Sequence, residues 1–362
     1  MIRSKLAEGG MGAVYVAEHE RLQNTRKIVK ILLPEYSRNE VIRHRFEREA
    51  TAVSRLKHKH IITIDDFGTL DDGQLFLMMP FLDGQSLDEY LRHHGKFTQH
   101  RTLHIGLQVC SALHHAHQAG FVHRDLKPGN IFITPADDNP YRVTLIDLGI
   151  ARDLAAEGPG GSGPSGPQTH TGISMGTPGY MAVEQYGNAG NATPLADLYA
   201  MAIVMWEMLT GRPPWGVHDE RVLYFKQMTE RPERPPEHEI STAWASILLA
   251  ALAVQPSDRP QSMRAFAVAL ASATPAIPPH VPSGADMLAS LAKEFIERAA
   301  LTDETVRNQS HHDRVAPMMW PPRETHAVGL PSTPPAQYAA PIVPRTASGP
   351  TKQPGANAIE SG

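Results

Sequence analysis

Cysteine is nearly absent: Cys110 is the only one in 362 residues, so an internal disulfide is excluded. That absence suits a reducing compartment. Cys110 lies in the apolar stretch from Leu107 to Leu113, where a buried structural thiol is expected. No run of about 18 apolar residues occurs, so no transmembrane helix is expected. The N-terminus lacks the apolar core of a secretory signal, and the chain is expected to be soluble and cytoplasmic. Net charge is also scarce, because 34 Lys and Arg against 38 Asp and Glu leave -4 at pH 7. This gives no electrostatic reason to expect nucleic acid or an anionic membrane as a partner. Internal repeats are absent as well. The 41% hydrophobic content, by contrast, is enough for a packed core.

Composition and patterning divide the chain into three parts. Residues 1–82 read as strands with one helix. Val14-Tyr15-Val16-Ala17 and Lys27 to Leu32 are β-rich runs, and Ile61 to Phe67 and Leu75 to Met79 read as two more strands around the turn Asp71-Asp72-Gly73. Between these pairs, Val41, Phe46, Ala50, Val53 and Leu56 predict an amphipathic helix over 38–57. Residues 83–272 read as mainly helical, with the strongest apolar periodicity over 101–119 and 195–210 and a short hairpin between them. From 273 to 362 the composition turns Pro-rich, with Pro-x-x-Pro spacings such as Pro275/Pro278 and Pro341/Pro344. This predicts a mostly disordered tail of polyproline character. One island, 286–301, places Leu288, Leu291 and Phe295 on one face of a helix.

Three groups of residues carry chemistry. Glu8-Gly9-Gly10-Met11-Gly12-Ala13-Val14 lies between two strand-like runs. Glycines let a backbone approach phosphates closely and offer N–H groups to them, although a glycine-rich turn is more often a plain hairpin than a nucleotide clamp. Lys30 stands in an apolar strand and needs a counter-charge if buried, for which Glu49 on the predicted helix is the candidate. The decisive run is His123-Arg124-Asp125-Leu126-Lys127-Pro128-Gly129-Asn130, with Asp147-Leu148-Gly149 after the hairpin. It supplies a carboxylate, a cation, an amide and a second carboxylate in fixed order. Phosphoryl transfer asks for such a set: hard oxygen ligands for Mg²⁺, a cation on the transferring group and a carboxylate near the attacking hydroxyl.

Over residues 3–270 these motifs closely resemble the eukaryotic-like (Hanks-type) serine/threonine protein kinases of bacteria. The resemblance implies an α+β, bilobal fold with a small β-rich lobe and a larger helical one. It implies that Lys30, paired with Glu49, holds the α and β phosphates of ATP, that Asp125 orients the substrate hydroxyl and that Lys127 contacts the γ-phosphate. Asn130 and Asp147 would bind Mg²⁺, or Mn²⁺ in its place. Ala7, Glu8, Gly9, Gly10, Gly12, Val14, Ile28, Met79, Pro80, Leu82 and Phe132 would surround the nucleotide, with Met79 as gatekeeper and Pro80 and Leu82 offering backbone groups to adenine. Gly176 to Glu184 resembles the end of an activation loop. Glu184 and Arg259 match a buried ion pair, and Asp197 matches the anchor of the catalytic loop. Lys127 together with Thr177 matches the serine/threonine pattern, with protein hydroxyls as substrates. Arg124 matches the receiver of an activation-loop phosphate, and Thr169 and Thr171 stand at the spacing of activating threonines.

Four positions depart from the family pattern: Ala7 for a glycine, Val183 for a proline, Leu148 for a phenylalanine and Ile28 for an alanine. Ile28 narrows the adenine slot, so weaker ATP binding than the family norm is expected. Two other readings stay open on the sequence. One is a pseudokinase or scaffold. The other is an adaptor whose Pro-rich tail docks a proline-recognition partner.

Overall fold

The computed structural model describes residues 1–9, 12–19, 25–137, 139–148, 177–186, 192–217 and 219–274, all within one compact unit, Met1–Val306. Gly10, Thr169, Thr171, the 286–301 segment and the Pro-rich tail lie outside the described residues.

The smaller lobe is a five-stranded antiparallel sheet. Its strands are β1 (Ile2–Gly9), β2 (Gly12–Glu18), β3 (Arg26–Leu32), β4 (Asp66–Thr69) and β5 (Leu75–Pro80), in the order β1-β2-β3-β5-β4. Two helices, α1 (Pro34–Ser37) and α2 (Glu40–Ser54), connect β3 to β4. Asn39 starts α2 by accepting from the backbone N–H of Val41 and of Ile42. That cap sets the phase of the helix. Ile42, Phe46, Ala50 and Val53 are buried while Val41 faces solvent, so the expected stripe is kept except at its first member. The strand expected over Ile61 to Phe67 is shorter. Ile61 makes one isolated parallel bridge to Leu145, and regular pairing begins at Asp66. Ile61, Ile62 and Ile64 are buried without a ladder, which is why an apolar β-branched run reads as a strand it does not form.

The larger lobe begins at β6 (Gln85–Ser86), which pairs with the hairpin β7 (Ile131–Ala136) and β8 (Asn139–Leu145). Gly84 precedes β6, and a Cβ there would run into the Ile133 carbonyl oxygen. The helices are α3 (Leu87–His94), α4 (Gln99–Gln118), α5 (Pro194–Thr210), α6 (Glu220–Thr229), α7 (Thr242–Ala251) and α8 (Met263–Ser272). Thr193 caps α5, Pro194 occupies its first turn, and Gly211 ends it in the left-handed conformation at φ 73. Every residue from Ala196 to Trp206 is buried, as expected of a helix that is apolar on all sides. α5 is therefore the central post of this lobe, with α4 packed against it at Gly106, beside Met205 and Met201. Thr274 closes the described chain: its hydroxyl accepts from Trp244 Nε1 at 2.7 Å and donates to the Leu270 carbonyl at 2.8 Å. Among the described residues, no helix is long and apolar enough to cross a membrane.

Candidate active site

The loop from Phe121 to Lys127 has no regular structure, and α5 holds it in place. Asp197, in the first turn of α5 and 1% exposed, accepts from the backbone N–H of His123 and of Arg124, each at 2.8 Å. It also lies 2.7 Å from His117 Nε2 at the end of α4. Three donors compensate the buried carboxylate. They also hold Arg124 at φ 64, a left-handed conformation that costs a non-glycine residue about 1–2 kcal/mol. The His123 ring is buried. Its Nδ1 accepts from the Asp125 N–H at 3.3 Å, so Nε2 carries the proton and donates to the Ile146 carbonyl at 3.1 Å. The ring thereby ties the loop to the strand end before Asp147.

Asp125 is the centre of a hydrogen-bonded set. Thr177 donates its hydroxyl to Asp125 Oδ1 at 3.1 Å and accepts from Lys127 Nζ at 2.9 Å. Lys127 Nζ also lies 3.2 Å from Asp125 Oδ2. Asn130 donates from Nδ2 to the Asp125 carbonyl at 2.8 Å and to its Oδ2 at 3.4 Å. The Asn130 amide oxygen is thus turned away from Asp125. The Ile146 N–H, 3.0 Å from the Asn130 carbonyl, sets Asp147 next to this group.

Lys30 lies on β3, opposite Val14 of β2, with its Nζ 2.7 Å from Asp147 Oδ1. The expected Lys30–Glu49 pair is not formed. Glu49 Oε1 accepts instead from Arg45 Nε at 3.0 Å, one turn earlier on α2, and its Oε2 is buried without a hydrogen bond. Burial raises the Glu49 carboxyl above the ordinary range, against the opposing pull of Arg45, Arg48 and Arg124. The reason is competition between two anions for one ammonium. Asp147, at φ 60, presents its carboxylate to β3, while the cations around Glu49 draw it toward Arg45 and Arg124. Burial in turn lowers the pKa of Arg124, which Glu49 and Asp197 partly offset.

Most of the residues assigned to the nucleotide lie on the five-stranded sheet, and Phe132 lies on the three-stranded one. Ala7, Glu8 and Gly9 end β1, and a Cβ on Gly12 would run into the Ile31 carbonyl oxygen. Ile28 pairs with Met79 and Lys27 with Pro80 across β3 and β5. Strand alternation puts Ile28 on the same face as Lys30. Leu82 follows β5, and Phe132 lies on β7 opposite Thr144. Leu148 is buried in the main core.

Behind the site, Arg259 and Glu184 form a bidentate pair at 2.7 and 2.8 Å. Arg259 also donates to the carbonyls of Ala253, Leu195 and Val254 and lies 4.8 Å from the Tyr199 ring centroid. Sequence reasoning missed several supports. His117 braces Asp197, Gln185 Nε2 donates to the Arg124 carbonyl at 3.2 Å, and Tyr180 donates to Glu207 Oε2 at 2.6 Å. Polar side chains at Gln185 and Glu207, next to motif or apolar-helix positions, are the available signal for two of them.

Residues 2–269 match the protein kinase domain family. The chain is 36% identical over 271 residues to the serine/threonine-protein kinase pkn3 of Myxococcus xanthus, covering 73% of this chain and 48% of that one. It is 38% identical over 269 residues to the serine/threonine-protein kinase PknD of Mycobacterium tuberculosis, covering 73% and 38% respectively. The chain thus spans less than half the length of these curated relatives. A crystal structure of the PknI kinase domain of Mycobacterium tuberculosis is similar at 27% identity and a TM-score of 0.54, covering 75% of this chain and 94% of that one. Rad53 in complex with AMP-PNP, at 23% identity and a TM-score of 0.59 over 74% of this chain and 63% of that one, shares the fold.

Proposed function

Because the chain belongs to the protein kinase family, we propose that it transfers the γ-phosphate of ATP to serine and threonine hydroxyls of proteins. The observation that carries this reading is the Asp125–Thr177–Lys127 set. Its carboxylate is buried and oriented, with an ammonium beside it. Asp125 orients an incoming hydroxyl and accepts its proton, and Lys127 stabilises charge on the transferring group. Thr177 fixes both.

Asn130 and Asp147 suit a divalent cation such as Mg²⁺. Both offer hard oxygens, the Asn130 amide oxygen is turned away from Asp125, and the Asp147 side chain keeps 46% exposure. Such an ion supplies charge neutralisation to the phosphates. Lys30 is the second cation of the site, on the strand beside the glycine turn. Gly9, with open space where a Cβ would stand, leaves room for phosphate oxygens near the backbone, whereas Gly12 is needed for the close approach of β2 to the Ile31 carbonyl.

The test is incubation of the full chain with Mg²⁺, labelled ATP and a protein substrate, against Asp125→Asn. Loss of a carboxylate acting on the hydroxyl is expected to lower transfer by about 10²–10⁴-fold with folding retained. Undiminished label in the variant would overturn the assignment. Mapping the labelled residues tests whether Thr169 and Thr171 are acceptors.

A further inference from the structure

A cleft of about 320 Å³ lies beside α7 and shares no lining residue with the site above. Leu249, Ala250 and Ala253 give it an apolar wall, and Arg231, Arg234, Ser246 and Asp258 form the polar rim. The volume is at the lower end of the range of small-ligand sites.

The rim is partly pre-set. One Nη of Arg234 donates to the Thr242 carbonyl at 3.2 Å and the other to Ser246 Oγ at 3.1 Å. These bonds fix the guanidinium plane and leave three of its five N–H groups uncommitted. Arg231 has no ion pair among the described residues. Of the flanking carboxylates, Glu230 lies 3.3 Å from Lys226 and Glu237 accepts from Thr242 Oγ1 at 3.1 Å, while Glu233 is exposed and does not line the cleft. Asp258, which accepts from Ser257 Oγ at 3.3 Å, is the one acid of the rim. Two guanidinium groups therefore face one carboxylate beside an aliphatic wall. Planar guanidinium forks match phosphate oxygens, and a fixed fork loses little entropy on binding.

We propose that this cleft binds a phosphomonoester on a short aliphatic stem, of the kind phosphothreonine presents. The phosphate sits between Arg231 and Arg234, and the stem rests on Leu249 and Ala253. The ligand is either a free phosphorylated amino acid or a phosphorylated peptide segment, and the chemistry of recognition is the same for both. Nothing in this assignment depends on catalysis at Asp125.

Calorimetric titration of the full chain without nucleotide tests the assignment. The probes are inorganic phosphate, O-phosphothreonine, a phosphothreonine peptide and the same peptide unphosphorylated. Saturable binding of the phosphorylated probes is expected, with the unphosphorylated peptide at least about tenfold weaker. Arg231→Ala with Arg234→Ala is expected to weaken binding by about tenfold or more. Asp258→Asn is expected to tighten it several-fold, because a like charge leaves the rim. A merely structural role for the cleft does not produce that gain. If the double variant fails to fold, Arg231→Gln and Asp258→Asn alone carry the comparison. A peptide that binds more tightly than the free amino acid assigns the site to phosphorylated segments, and equal affinity assigns it to the free ester. Absence of saturable binding by every phosphorylated probe, or binding that the rim substitutions leave unchanged, overturns the proposal.

Discussion

Glu49 has one carboxylate oxygen on Arg45 and the other buried without a hydrogen bond. A carboxyl raised above its ordinary pKa keeps its proton in the folded chain where the unfolded chain has released it. Its contribution to stability therefore falls as pH rises from the usual carboxylate range toward neutrality. Glu49→Gln is expected to raise the melting temperature at pH 7 and to change it little at pH 4, which calorimetry at the two pH values checks. A lower melting temperature at pH 7 would mean that the ionised group is stabilising after all. Ile28, on the face it shares with Lys30, gives a second prediction at this scale. Ile28→Ala is expected to tighten nucleotide binding several-fold in a titration, and unchanged affinity would show that the slot is not narrowed. Legibility in the sequence differed sharply among these residues. Asp125, Lys127 and Asn130 fall within six positions of one another, so their meeting follows from the chain itself. The partner of Lys30 could not be read that way, because two carboxylates compete for it and side-chain geometry decides.

At the scale of elements, periodicity located α2 and α5 well, and the errors came from phase and from pairing. The Asn39 cap moved the apolar stripe of α2 from Val41 to Ile42, a shift that the spacing of later apolar residues does not reveal. The run at Ile61 is apolar and β-branched as a strand would be, but the bridge partner of Ile61, Leu145, is far away in sequence. The contact between α4 and α5 makes a prediction about packing. A Cβ on Gly106 would lie 2.6 Å from Met205 Cε and 3.5 Å from Met201 Cε, the flexible ends of two side chains. Gly106→Ala is expected to be nearly neutral, since the helix gains about 1 kcal/mol of propensity while the methionines shift. Gly106→Leu is expected to cost about 1–3 kcal/mol or more by overpacking. Urea unfolding of both variants checks the contrast. Equal losses would mean that the methionines are rigidly held.

At the scale of the whole molecule, the two-lobed α+β architecture was legible from the change in patterning near residue 82 and from the ordered motifs. What joins the site to the core was less so. Asp197 stands on the helix around which the larger lobe is packed, and its two backbone donors belong to a loop. The amide hydrogens of His123 and Arg124 can then exchange with solvent only when the first turn of α5 releases them. Deuterium uptake at these two positions is expected to be as slow as at the middle of α5, and rapid uptake there would show that the loop opens independently. On this view the loop that carries Asp125 keeps the time of the helix around which the larger lobe is packed.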